Sequence, residues 1–467
     1  MAVELQYWAP RAWLGSADAS KGGGWASDVL MCVDADGNWH TITPGTARTD
    51  APGATVLAGP VLPGVVNAHS HAFQRAIAGL TETSGGQDDD FWSWRDRMYR
   101  AALRITPDQL QAIATQLYTE LLQGGYTQVC EFHYLHNDTD GQPYADPLEL
   151  SMALVRAAQA TGMGLTLLPT LYMRSGFGAT GLRTDQRRFA GTPGSVLRMA
   201  EAINALKLPR INAGVALHSL RAVDAGALKE VAAAAQQAHW PVHIHIAEQV
   251  QEVNDCIAHT GQRPIEWLLH TLGGSTAPVD ARWNLVHATH TTPQELGDLQ
   301  ATGAAIVICP STEANLGDGV FDFPGWAGQG GNWSIGSDSH VTRSLVEELR
   351  LLEYSQRFAR RQRNLAARVT GVDSTAAALL QGAVQGGAVA TGLRSSGIAV
   401  GQRADLCVMD AHSPALAGIP EAHTLDAWAF SSPSAVCAAA VVAGQAVPAA
   451  LPGVQAGHID AMRRLWT

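Results

Sequence analysis

Counting from Val65, strand-like apolar runs alternate with helix-like segments eight times, and this constrains the fold more than any other feature of the sequence. After the first run come others at 127–132, 165–169, 211–217, 242–246, 284–286, 304–309 and 333–335. Helical segments such as the Ala-rich 225–239, and 293–302, lie between most of them. The first long helix carries its own punctuation: Thr106 is placed to cap it, Pro107 takes the first helical position, and Gly124-Gly125 closes the far end. Strands that alternate with helices pair in parallel, and eight such units close into an α/β fold of the TIM type, a (β/α)8 barrel, in preference to an open sheet.

The two ends have a different texture. Residues 1–60, and the stretch from about 393 onward, mix short apolar runs with Gly, Asp and Pro, which reads as short strands joined by turns. The expected division is one small β domain assembled from 1–60 and 393–467, flanking a barrel over 61–392. With 467 residues, 46% of them apolar and 16% charged, a large core is available. A net charge of -11 argues against a nucleic-acid partner, since phosphate binding needs a basic face and none is visible in the sequence. No apolar run reaches membrane-spanning length, and the N-terminus lacks the basic-then-apolar pattern of an export signal. The six cysteines are scattered and form no CxxC, as expected of buried free thiols in a reducing cytoplasmic setting.

Chemistry in a barrel of this type belongs at the C-terminal ends of the strands. Polar residues able to bind a metal recur at those ends: His69 and His71 after the first run, His133 after the second, His218 after the fourth, His245 and Glu248 after the fifth, His287 after the sixth and Asp338 after the eighth. In His69-Ser70-His71, residues i and i+2 share one face of a strand, so both imidazoles converge. Together with a histidine of strand five and Asp338 they would supply three neutral imidazoles and one carboxylate, leaving a net positive centre able to acidify a bound water. In strand five His243 and His245 have equal parity, and periodicity does not choose between them. Glu248 follows where the strand gives way to a loop, placed to carry a proton from that water to a leaving nitrogen. His287 is placed to polarise a substrate, while His290 reads as structural. His218-Ser219-Leu220-Arg221 ends strand four without a lysine that could bridge two metals, so a mononuclear site is expected.

These residues together resemble the amidohydrolase superfamily, and so does the late Gly397-Ile398-x-x-Gly401-x-x-Ala404-Asp405-Leu406 stretch. The resemblance spans nearly the whole chain and implies a metal-binding barrel joined to a small β-sandwich built from both termini. It assigns His245 as the strand-five ligand and leaves His243 as an interior neighbour. Segment 67–82 is similar to the formimidoylglutamate deiminase family, as are Phe91-Trp92-Ser93-Trp94-Arg95, Glu131-Phe132-His133-Tyr134-Leu135-His136, Leu217-His218-Ser219-Leu220-Arg221 and segment 310–319. Carried over residue by residue, that likeness implies zinc on His69, His71, His245 and Asp338. It implies proton handling by Glu248, His287 and Asp338, and substrate contacts from Gln74, Arg95, Tyr134, His218 and Arg221. The implied reaction is hydrolysis of N-formimidoyl-L-glutamate to N-formyl-L-glutamate and ammonia in histidine degradation. The same N and O ligands also suit other divalent ions. A small dicarboxylate brings two negative groups, and bidentate arginine is their strongest common partner, which gives Arg95 and Arg221 a purpose. His133 is expected to support Tyr134, and the likeness suggests a homodimer.

Two other readings compete. One keeps the fold and changes the substrate to a nucleobase or aminoheterocycle, whose deaminases favour aromatic walls and amides over paired arginines. The other is a catalytically silent barrel serving in binding or assembly, against which the retention of every expected ligand and of Glu248 argues. Ser20 to Gly24 and the acidic Gln87-Asp88-Asp89-Asp90 run find no place in any of these and read as solvated loops.

Overall fold

Eight parallel strands carry the candidate residues: β1 (Val65–Ser70), β2 (Tyr126–His133), β3 (Gly164–Leu171), β4 (Ile211–Ala213 and Val215–Ser219), β5 (Val242–Ile246), β6 (Trp283–His287), β7 (Ala305–Ile308) and β8 (Asn332–Ile335). The computed structural model describes residues 5–15, 23–83, 91–431, 437–448 and 451–467. The acidic run at 87–90 and residues 20–22 of the Gly-rich stretch lie outside the described residues. Pairing runs in chain order from β1 to β8, and a parallel bridge between Ser70 and Asp338 joins the last strand's end to the first, giving the expected (β/α)8 barrel. The fourth run, expected as one strand, is broken at Gly214, whose N–H bonds the Leu167 carbonyl of β3. A Cβ there would stand 2.5 Å from the Pro241 carbonyl oxygen, so only glycine lets the neighbouring loop come this close.

Helix Pro107–Gln123 illustrates why the segments between strands become helices. Thr106 and Gln109 bond each other's backbone reciprocally, a capping box, and Pro107 occupies the first turn where its missing N–H is harmless. Leu110, Ile113, Ala114, Leu117, Tyr118 and Leu121 are buried, the i, i+3, i+4 spacing of a single face turned to the barrel.

The termini share one sheet of eight strands with a core of its own that includes Tyr7, Met31, Trp39, Leu406 and Val441. Strand Val61–Pro63 is its hinge in sequence: Ala12 pairs with Val61 in parallel, while Leu406 pairs with Pro63 antiparallel, so N- and C-terminal strands meet across it. The Gly397 to Gly401 stretch forms a turn, with both glycines at positive φ, 127° and 80°. The final helix, Val454–Trp466, leaves the sheet and packs on helix Pro107–Gln123, with the Trp466 indole donating to the Ala76 carbonyl. Among the described residues no helix is long and apolar enough to cross a membrane, and the six cysteines are unpaired, five of them buried.

Candidate metal centre and substrate cleft

Strand parity at the end of β1 brings the His69 and His71 rings within 4.6 Å of each other, edge to face. His245, from β5, places its Nε2 2.9 Å from that of His69. Asp338 Oδ1 lies 3.4 Å from His69 Nε2 and 3.3 Å from His71 Nε2. The outer ring nitrogens are committed elsewhere: His71 Nδ1 donates to the Phe132 carbonyl at 2.9 Å, and His245 Nδ1 to the His218 carbonyl at 3.0 Å. Both rings therefore turn an Nε2 lone pair inward, the tautomer a metal ligand needs. His243 faces deeper into the barrel and donates to the Ala390 carbonyl at 2.8 Å.

Electrostatics favour the same assignment of charge. Burial holds the His69, His71 and His245 imidazoles below their ordinary range, His69 at about 3. Burial would raise the Asp338 carboxyl, but His69, His71 and His287 around it hold it well below the usual carboxylate range. The result is three neutral imidazoles and one ionised carboxylate. A first-row divalent cation with bonds of about 2.0–2.2 Å sets neighbouring tetrahedral ligand atoms about 3.3–3.6 Å apart. The spacings from Asp338 to His69 and His71 fall in that range, while the His69 and His245 nitrogens, 2.9 Å apart, stand a few tenths of an ångström inside it, so the donor set fits a metal once those two rings part slightly.

Glu248 and His287 stand beside this group. His287 Nε2 lies 3.8 Å from Glu248 Oε1 and 3.8 Å from Asp338 Oδ2. Its other nitrogen, Nδ1, faces Glu313 Oε1 at 3.3 Å, and the same carboxylate oxygen accepts the Cys309 N–H at 2.9 Å. Burial raises the Glu248 carboxyl. For His287 burial works downward, but Glu248, Glu313 and Asp338 outweigh it and raise the imidazole. Ala247, His287 and Asp338 all take left-handed backbone conformations, φ 52°, 71° and 45°. Such positions cost a non-glycine residue about 1–3 kcal/mol each and persist where surrounding structure enforces them. Here they sit at the ends of β5, β6 and β8 and turn the chain at the residues that face the metal group.

The group opens into a cleft lined by Gln74, Tyr134, His218, Arg221, Glu248 and, from helix Phe91–Ala102, Arg95 and Tyr99. Gln74 Nε2 donates to the Tyr134 hydroxyl at 3.1 Å, leaving its buried Oε1 with no partner among the described residues. The His218 ring packs on Tyr172 at 4.1 Å. The Nε atoms of both Arg95 and Arg221 are buried and unpartnered among the described residues. Every residue named from the sequence as ligand, proton carrier or substrate contact thus lies on this group or lines this cleft. His133 does not: it is buried against the His136 ring, 5.4 Å away.

The profile of the amidohydrolase family matches residues 61–447. The chain belongs to the amidohydrolase family. The family is metal-dependent, in keeping with the His69, His71, His245 and His69, His287, Asp338 groupings. This amidohydrolase is 46% identical over 423 residues to the formimidoylglutamate deiminase of Pseudomonas aeruginosa, covering 90% of this chain and 91% of the relative. It is 27% identical over 372 residues to a 5-methylthioadenosine/S-adenosylhomocysteine deaminase of Halobacterium salinarum, covering 80% of this chain and 77% of that one. Among solved structures, an amidohydrolase from Brucella melitensis superposes with a TM-score of 0.89 at 39% identity, covering 99% of this chain and 100% of its own. Glu313, the partner of His287, had no role in the sequence reading. The only signal for it was its place in segment 310–319, since a carboxylate acting through a histidine has no spacing of its own.

Proposed function

We propose that this amidohydrolase uses zinc to hydrolyse N-formimidoyl-L-glutamate to N-formyl-L-glutamate and ammonia, a step of histidine degradation. The observation that carries the reading is the pair of guanidiniums, Arg95 and Arg221, lining the same cleft as the metal group in a chain 46% identical to an enzyme named for that substrate. A buried Nε with no partner among the described residues on each arginine suits an anionic ligand, and two suit a dicarboxylate.

His69, His71, His245 and Asp338 would hold the zinc, whose N and O donor set they match, with Asp338 at tetrahedral spacing from His69 and His71. When bound, the ion supplies Lewis acidity that makes a water molecule nucleophilic near neutral pH. Arg95 and Arg221 seat the two carboxylates, and Gln74, Tyr134 and His218 close around the chain between them and the metal group. Glu248 takes one proton from the attacking water and gives it to the imino nitrogen as the new C–O bond forms at the formimidoyl carbon. His287, backed by Glu313, steadies the charge that develops on oxygen. Asp338 and His287 relay the remaining hydroxyl proton to the departing nitrogen. The C–N bond then breaks, ammonia leaves, and the formyl carbonyl remains.

The test is ammonia release by metal-replete protein from N-formimidoyl-L-glutamate, set against N-formimidoyl-L-aspartate, adenine, guanine and cytosine. The formimidoyl glutamate is expected to turn over fastest. A faster rate on any of the heterocycles overturns the proposal in favour of nucleobase or aminoheterocycle deamination.

A further inference from the structure

Trp92 does not line the cleft, yet both substrate-facing arginines meet it. The Arg95 guanidinium carbon lies 4.6 Å from the Trp92 ring centroid and the Arg221 guanidinium carbon 5.5 Å from the same ring. The two arginines come from unrelated places, Arg95 from helix Phe91–Ala102 and Arg221 from the loop after β4. Arg95 has one carboxylate neighbour, Asp96 at 3.4 Å on the exposed side of the helix. Arg221 has none within ion-pair distance among the described residues. Two like charges brought to one cleft repel, and some feature must hold them at a fixed separation. An aromatic ring attracts a guanidinium through its quadrupole, most strongly for tryptophan and most where water is excluded. Phe91 packs edge to face on the indole at 5.0 Å and limits its movement.

Resting on the dicarboxylate reading above, we infer that Trp92 is a positioning residue that fixes the distance between the Arg95 and Arg221 guanidiniums and thereby selects the chain length of the dicarboxylate. The metal group fixes one end of the substrate. Carboxylates held by the two arginines fix the other, so their spacing decides whether the skeleton between them fits. A site built in this way distinguishes one methylene by roughly 10–200-fold.

The test separates the π face of Trp92 from its bulk. Metal-replete wild type, Trp92→Phe and Trp92→Leu are titrated calorimetrically with glutarate and with succinate, which differ by one methylene and carry no imino group. The wild type is expected to bind glutarate at least about tenfold more tightly than succinate. Trp92→Phe keeps affinity and preference within about threefold, whereas Trp92→Leu loses about tenfold in glutarate affinity and most of the preference, on the scale of desolvated cation–π contacts. Metal content and thermal transition are measured on each protein, and a Leu variant that binds metal normally excludes a general loss of structure. With N-formimidoyl-L-glutamate the same variant should raise KM with a much smaller change in kcat. A Leu variant that retains the preference for glutarate, a Phe variant as impaired as Leu, or a wild type without preference overturns the inference. If the wild type fails to turn over the formimidoyl substrate, the proposed reaction falls, while the glutarate titration still decides the role of Trp92.

Discussion

The backbone N–H of Asp338 donates to the His69 carbonyl at 3.0 Å, and the Asp338 side chain lies 3.4 Å from the His69 imidazole. The same two residues therefore close the barrel between β8 and β1 through their main chains and face a common centre through their side chains. Metal binding is expected to reinforce barrel closure at this seam. A cation bound only by the folded state adds about 4 kcal/mol when its free concentration is a thousand times its Kd. Stripping the metal with a chelator should lower the calorimetric Tm by several degrees, and one equivalent of zinc should restore it. An identical transition with and without metal would separate the seam from the site.

Glu248 is close to the metal group without belonging to it. Glu248→Gln keeps shape and hydrogen-bonding capacity but cannot carry a proton. Metal content should stay at the wild-type level while kcat falls by about 10²–10⁴-fold, the usual range for loss of a general acid–base. Elemental analysis and ammonia release on one preparation check both halves, and near-normal turnover would remove Glu248 from proton transfer.

Most of this arrangement could be read from the sequence because strand ends and periodicity carry it. The strand 242–246 was expected with the same bounds it has, and Thr106 and Pro107 mark the start of their helix in both views. The break of the fourth run at Gly214 was not legible, since it depends on how closely the Pro241 loop approaches. Nor was the final helix, whose site on helix Pro107–Gln123 is a long-range contact with no local signature. The same limit applies to the cleft. Residues at strand ends announce themselves by position, whereas Glu313 and Trp92 act through His287 and the arginines, and only three-dimensional neighbours reveal them.

Glu313 holds the outer nitrogen of His287 and the Cys309 N–H with one oxygen. Glu313→Ala removes the acceptor from a buried N–H and frees the imidazole to rotate. An unsatisfied buried donor alone costs about 1–3 kcal/mol, so stability should fall, and kcat should fall by at least about tenfold with KM little changed. Glu313→Gln keeps an acceptor oxygen at the same reach and should recover much of the loss. If Gln is no better than Ala, orientation of His287 is not what Glu313 provides.

Arg95 and Arg221 are predicted to act on binding. Charge-assisted hydrogen bonds contribute about 1.5–3 kcal/mol, so Arg95→Ala and Arg221→Ala should each lower kcat/KM for the formimidoyl dicarboxylate by about 10–150-fold, chiefly through KM, with metal content unchanged. Steady-state kinetics decide it: values within twofold of wild type for both variants would end the dicarboxylate reading.

Gly336 lies two residues before Asp338, where β8 passes behind the metal group. A Cβ at this position would stand 2.7 Å from His69 Cβ, closer than real Cβ atoms approach, and 3.0 Å from Cys309 Sγ, a tight contact. The backbone cannot easily retreat, because the Gly336 N–H bonds the Ile308 carbonyl at 2.9 Å. The displacement must then fall on His69, which is fully buried. Overpacking of this kind costs about 1–3 kcal/mol, and a shifted ligand weakens the metal further. Gly336→Ala should lower Tm and weaken zinc binding by at least about tenfold (about 1.4 kcal/mol) in competition with a chromogenic chelator. Adding Cys309→Ala relieves only the sulfur contact and should recover little of the affinity. Gly297→Ala is the control: it lies in helix Pro293–Gln300 with nothing nearer than 3.9 Å, and should raise stability by about 0.5–1 kcal/mol without touching the metal. Normal zinc affinity in Gly336→Ala would mean that His69 can be displaced without harm, and that the tight packing behind it is not what holds the ligand in place.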